Sequence, residues 1–287
     1  MISWPDDLIE DIARRRCVLV LGAGVSKNSD NAAGARPKDW KEFLIASSTD
    51  VAGKQEIRRL INAGDFLTAC ELIKKELGRD EFNTIVRREF LTPQFRPAKI
   101  HEHIYNLDSR VIITPNFDKI YDTYANTTSH GSIVVKKFNE SDIADFIRRP
   151  EHLIIKIHGS VESPDNLIFT RKDYSEARTK YRDFYHLIDA LSITHTFIFL
   201  GCGTNDPDIR LMLEDYSFKF AQNRKHYIVM SRKAVNGKVL DIISETMSLK
   251  ALLYDPVNNH SKLTDSLDTL VKKVELKRNE FAGNMKW

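Results

Sequence analysis

Seven short apolar runs recur along the chain, at 17–21, 111–113, 133–136, 153–157, 196–200, 226–230 and 250–254, and stretches with helical periodicity separate them. A strand covered on both faces reads as a continuous β-branched run such as VII (111–113), without polar alternation. Runs of this kind alternating with helices predict an α/β Rossmann-like fold, a parallel sheet with helices on both faces. One connection breaks the rhythm. Residues 22–110 hold KEFLIAS, QEIRRLINAG, DFLTACELIKKELG and DEFNTIVRREFL, all with helical spacing, far beyond the dozen or so residues a crossover needs. The expectation is one domain, 1–287, with a helical insertion at about 40–108 and an amphipathic helix at 261–281 packed back on the sheet. No internal repeat or low-complexity linker interrupts it.

Composition narrows the function classes. With 43 Lys plus Arg against 40 acidic residues, a net charge of +3 and a pI of about 8.6, the chain has no electrostatic footprint for nucleic acid. Its longest apolar runs, CVLVLGAGV (17–25) and THTFIFLGCG (194–203), fall short of the roughly 20 residues that cross a bilayer. MISWPDDLIEDIARRR places acids before bases and has no apolar core of a secretion signal, so a cytoplasmic location is expected. Cys17, Cys70 and Cys202 stand singly and form neither a disulfide framework nor a zinc pair. His101 and His103, two positions apart on a helix, face different directions, and no metal site is expected.

The chemistry-bearing groups stand where the apolar runs end. Gly22, Ala23 and Gly24 follow the first, and glycines there let backbone N–H groups approach a phosphate; a tight turn needing positive φ accounts for them equally well. Lys27 occupies the position of the third glycine of a dehydrogenase fingerprint, and no acid closes a second strand about 20 residues on, which disfavours an ordinary dinucleotide oxidoreductase. Thr114, Pro115, Asn116, Phe117 and Asp118 follow the second run; His158, Gly159 and Ser160 follow that at 153–157; Gly201, Gly203, Thr204, Asn205 and Asp206 follow that at 196–200. Open α/β sheets bind ligands at this edge. The bland reading keeps Asn116 and Asp118 as N-cap and first-turn acid of the helix in FDKIYDTY, the NDPD run as the cap of the next helix, and Pro37 and Trp40 as turn and core residues.

In order, GAGVS (22–26), ARPKDW (35–40), TPNFD (114–118), KIHGS (156–160) and GCGTNDPDI (201–209) resemble the sirtuin-like NAD-consuming family, and most closely its bacterial anti-phage branch, including the subunit paired with a HerA-type ATPase. The zinc module of the family's deacylases needs two cysteine pairs, which three isolated cysteines cannot supply. The deacylase arginine after the glycine-rich loop is not transferred to Arg36, which precedes Pro37.

The resemblance implies an NAD glycohydrolase: NAD is substrate, no metal is needed, and nicotinamide and ADP-ribose are the products. Asn116 positions a water or a ribose hydroxyl, and His158, with an imidazole pKa of about 6.5, takes a proton from either. Gly22, Ala23, Gly24 and Ser26 cradle the pyrophosphate, Asp118 takes the nicotinamide carboxamide, and Gly201, Thr204 and Asn205 lie on the nucleotide. The resemblance also implies a homo-oligomer and a HerA-type ATPase partner. The competing readings are an assembly subunit that binds NAD or ADP-ribose without turnover, and a zinc-free deacylase.

Overall fold

All seven expected runs are strands, and all are parallel: β1 (Cys17–Leu21), β2 (Val111–Thr114), β3 (Val134–Lys137), β4 (Leu153–Lys156), β5 (Thr196–Leu200), β6 (His226–Ser231) and β7 (Leu249–Tyr254). The computed structural model describes residues 1–203, 206–220, 222–233 and 236–284. The expected Rossmann-like α/β fold is present, with strand order β3-β4-β2-β1-β5-β6-β7.

Side chains of one strand point alternately to the two faces, and the core divides accordingly. Leu19, Ile112, Ile154 and Ile198 meet Leu8, Ile12, Ile104, Leu267 and Leu270 on one face, under the helices Asp6–Ala13, Lys99–Asn106, Ile120–Thr128 and Ser261–Asn284. Val18, Val20, Ile113, Ile155, Phe197 and Phe199 meet Phe184, Ile188, Leu213 and Ile243 on the other, under helices that include Arg182–Thr194, Pro207–Lys219 and Gly237–Thr246. β3 lies at an edge, is half-buried throughout and carries Lys136 and Lys137, the charged side chains that discourage further pairing.

Beyond the short helix Ala23–Ser26, five helices stand between β1 and β2. Four of them, Trp40–Ser47, Lys54–Ala63, Phe66–Leu77 and Arg79–Phe90, bury Phe43, Ile57, Ile73, Phe82 and Val86 in a core of their own, which also takes in Val161, Leu167 and Phe169 from the segment after β4. The fifth, Lys99–Asn106, packs Ile100 and Ile104 on the sheet instead. His101 and His103 lie on it and have different partners: His101 Nδ1 accepts from the Ala98 N–H at 3.0 Å, and His103 Nδ1 lies 3.9 Å from Asp268. Burial pulls the His101 pKa down to about 4, so its ring is neutral.

The order of strand addition sets the position of the crevice. From β1 the chain passes to β2 beside it, on to β3 at the edge and back to β4 between them, then crosses to β5 on the opposite side of β1 and continues to β7. The β1/β5 boundary is therefore the topological switch point, and its open side lies beyond Leu21 and Leu200.

Candidate active site

Gly22, directly after β1, begins a short helix, Ala23–Ser26. The loop is pressed against the end of β5: the Gly22 N–H donates to the Leu200 carbonyl at 2.9 Å and the Gly24 N–H to the Gly201 carbonyl at 2.9 Å. A Cβ at Gly22 would stand 2.5 Å from Gly201 O, and one at Gly24 would stand 2.9 Å from Gly201 Cα. Gly201 itself has φ +63 and no room for a side chain, since a Cβ there would lie 2.5 Å from Val25 N. Chain-to-chain packing at the switch point thus already requires these three glycines. The Val25 N–H is bonded to the Gly22 carbonyl at 3.0 Å, whereas that of Ala23, the first residue of the helix, has no partner in the helical ladder.

At the end of β2 the chain is pinned twice. Thr114 Oγ1 donates to the Leu21 carbonyl at 2.7 Å and accepts from the Asn116 N–H at 3.0 Å, which ties the loop to β1. Asn116 Nδ2 donates to Ser26 Oγ at 3.1 Å, and Ser26 Oγ donates to Asp118 Oδ2 at 2.8 Å. Asp118 Oδ1 accepts from the Ile120 N–H at 3.0 Å. The helix that follows begins at Ile120, with Lys119 at its N-cap, so Asp118 supports the first turn while Asn116 lies outside the cap. Between them, Phe117 turns its ring into the helical insertion, with centroids 4.8 Å from Phe90 and 4.7 Å from Phe169.

Beneath this loop Lys156, 1% exposed, donates to the Asp118 carbonyl and forms an ion pair with Asp122 at 2.8 Å. Burial raises the Asp122 pKa, and the ammonium of Lys156 works against that rise.

His158, two residues beyond β4, is buried, and its ring meets Tyr174 edge-on with centroids 5.1 Å apart. Its Nε2 lies 3.6 Å from Asp206 Oδ2, which also receives the Tyr174 hydroxyl at 3.4 Å. Asp206 Oδ1 accepts from the Ile209 N–H at 3.1 Å, so one carboxylate both starts the helix Pro207–Lys219 and faces the imidazole. The sequence offered Asp206 as one of the polar groups after the run at 196–200 and as a cap, with no link to His158, and Tyr174, inside a helix, carried no signal at all.

These pieces enclose one cavity of about 570 Å³, within the range of roughly 300–1,000 Å³ typical of small-molecule sites. Gly22, Ala23, Ser26, Asn116, Asp118, His158, Gly201 and Asp206 all line it. Gly24 does not, because it lies behind the loop against Gly201. Thr204 and Asn205 lie outside the described residues. Cys202 lines the cavity too, but burial pushes its thiol pKa up, which leaves it a poor nucleophile.

The insertion supplies the facing wall, with Pro37, Trp40, Phe66 and Phe90. Trp40 stacks on Phe169 with centroids 5.3 Å apart. Asp39 and Glu42 form a capping box at the start of Trp40–Ser47, and Lys27 clamps both, at 2.7 and 2.9 Å. Burial alone would lower the Lys27 pKa, but the two carboxylates outweigh it and hold it above the ordinary lysine value. The residue in place of a third glycine therefore fastens the insertion to the loop after β1. Arg36 is exposed.

Residues 110–252 match the model of the SIR2-like domain. The match covers just under half of the chain. Asn116, Asp118, His158, Gly201 and Asp206 fall within the SIR2-like stretch, while the loop Gly22–Ser26 and the four-helix insertion precede it. Two relatives named NAD(+) hydrolase ThsA align along nearly the whole chain: that of Acinetobacter baumannii is 22% identical over 298 residues, 97% of this chain and 58% of the relative, and that of Enterococcus faecium is 24% identical over 299 residues, 96% and 59%. Defense-associated sirtuin 2 of Bacillus subtilis is 22% identical over 210 residues, 72% of this chain and 20% of that protein. The chain thus spans less than two thirds of the length of these relatives. Among the described residues no group of His, Cys, Asp and Glu is arranged to hold a metal ion, and no helix is long and apolar enough to cross a membrane.

Proposed function

We propose that this chain is an NAD glycohydrolase of anti-phage defence. The carrying observation is that Asn116 and His158, just beyond the ends of different strands, line one cavity at the switch point of the sheet. The names of the two hydrolase relatives support the choice of NAD, at low identity.

In this reading the bond between C1′ of the ribose and the nicotinamide nitrogen breaks, and its electron pair neutralises the pyridinium. A water oxygen bonds to C1′, and His158 accepts the proton that the water loses. Such general-base help contributes about 10²–10⁴-fold. Asn116 holds the water or a ribose hydroxyl in line, and Asp206 steadies the imidazolium that forms. The pyrophosphate rests on the loop Gly22–Ser26, where the Ala23 N–H is available, and Gly201, Thr204 and Asn205 belong to the nucleotide side. Asp118 is assigned the nicotinamide carboxamide by resemblance, in addition to its bonds to Ser26 and Ile120.

The same reading makes residues 1–287 one sirtuin-like domain with its insertion at about 40–108, working in the cytoplasm as a homo-oligomer beside a HerA-type ATPase. These assignments rest on the resemblance. Incubating the purified chain with NAD, alone and with such an ATPase, and following free nicotinamide tests the activity. Release that is lost in His158→Ala supports the proposal; NAD that binds and stays intact in both mixtures overturns it. Light scattering should give a multiple of 33.0 kDa, and a monomer in both mixtures refutes the assembly.

A further inference from the structure

We infer that Asp118 is a positioning residue that fixes which end of the Asn116 amide faces the cavity. A carboxylate only accepts hydrogen bonds, so the single proton of the Ser26 hydroxyl must point to Asp118 Oδ2, 2.8 Å away. Ser26 Oγ can then only accept from Asn116, so the side of the amide turned to it, at 3.1 Å, must be the NH2 group. Oδ1 of Asn116 is the end turned away from Ser26, on a residue that lines the cavity. The cavity thus meets a hydrogen-bond acceptor, suited to an O–H of water or of a ribose hydroxyl and unsuited to a carbonyl or phosphate oxygen. The Asn116 N–H is held separately by Thr114, so the backbone stays in place whichever way the amide turns.

The relay has a built-in direction. Asp118 Oδ1 is committed to the Ile120 N–H, at 3.0 Å. In Asp118→Asn the carbonyl oxygen must keep that bond, because an NH2 there would face another donor. The new NH2 is then directed at Ser26, the hydroxyl turns its proton to Asn116, and Asn116 rotates to show the cavity its own NH2. Size and hydrogen-bond count are preserved while the polarity offered to substrate is reversed.

The catalytic consequence rests on the NAD-hydrolase reading, whereas the relay can be tested without it. In nucleotide-free protein labelled with ¹⁵N at asparagine, the Asn116 NH2 protons should exchange slowly with solvent, and Asp118→Asn should speed them about tenfold, the protection an ordinary hydrogen bond confers. Ser26→Ala, which cuts the relay without reversing it, should speed them as well and serves if Asp118→Asn does not fold. For hydrolysis, Asp118→Asn should lower kcat about 10²-fold, and adding Ser26→Ala should recover part of that loss by freeing the amide to turn back. Exchange in both variants equal to wild type overturns the relay. An active wild type whose double variant is no better than Asp118→Asn overturns its catalytic role. A wild type that binds NAD without cleaving it refutes the hydrolase reading instead, and the exchange rates then decide the relay alone.

Discussion

Asn116 and His158 stand at one level of the sheet: Thr114 of β2 pairs with Lys156 of β4, and each residue lies two positions beyond its paired neighbour. Parallel register therefore does what neither loop could do alone, and carries an amide and an imidazole into the same crevice.

The first expectation follows from that pairing. Asn116→Ala and His158→Ala should each reduce NAD hydrolysis by about 10²–10⁴-fold, and the double variant should be little worse than either. Because the helix begins at Ile120 and not beside Asn116, Asn116→Ala should not incur the loss of about 1 kcal/mol that removing a cap costs. Melting curves and turnover on the same samples check both. A thermally weakened Asn116→Ala with normal turnover would return the residue to a structural role.

Substitution in the glycine loop should act on the fold before it acts on binding. At Gly24, expected to cradle the pyrophosphate, an added side chain would meet the Gly201 backbone first. Gly22→Ala and Gly24→Ala should each destabilise by about 1–3 kcal/mol through overpacking. Gly237→Ala, where a Cβ meets nothing within 4 Å, is the control. Urea unfolding that ranks the three alike would refute the close-packed loop.

Lys156→Met should destabilise the protein in a pH-dependent way. The pKa of Asp122 is already raised by burial, and without the ammonium it rises further, so the folded state holds a proton that the unfolded state releases above about pH 4. The defect should thus be small near pH 4 and grow towards about 3–5 kcal/mol as pH rises to neutrality. Lys156→Met with Asp122→Leu should recover most of it, leaving the Asp118 carbonyl without its donor. Chemical denaturation at several pH values reads this out, and a defect that shrinks as pH rises would refute it.

Asp108 should shape the acid limb of stability. Burial pushes its pKa up, but His152 and Arg15, with Arg278 nearby, overcome that and bring it down to about 2. A depressed carboxylate stabilises the folded state above its unfolded pKa of about 3.9, and that contribution is lost as pH falls from there to about 2. Asp108→Asn should therefore be less stable than wild type at pH 5, with the two converging below pH 4. Because Asp108 is partly exposed to solvent, the difference at pH 5 should be modest.

By itself the sequence determined the strands and what stands at their ends. A β-branched apolar run specifies a strand covered on both faces wherever it lies, so Val111–Thr114 and Thr196–Leu200 were legible from local chemistry, as was the placing of Asn116 and His158 just beyond strands. Only the tertiary structure decided what those end groups touch. Gly22 and Gly24 meet Gly201 because β1 and β5 are neighbours, although a large part of the chain lies between them. The helix Lys99–Asn106 looks like its insertion neighbours in periodicity, and only its contacts assign it to the sheet. Asp206 reads as a cap until β4 brings His158 within 3.6 Å. The direction of the Asn116 amide is the clearest case. It depends on a hydroxyl 90 residues earlier, whose own proton is claimed by a carboxylate 92 residues further along. Periodicity is a property of neighbouring residues, whereas the sense of a hydrogen bond belongs to both partners, so it becomes fixed only when folding brings them together.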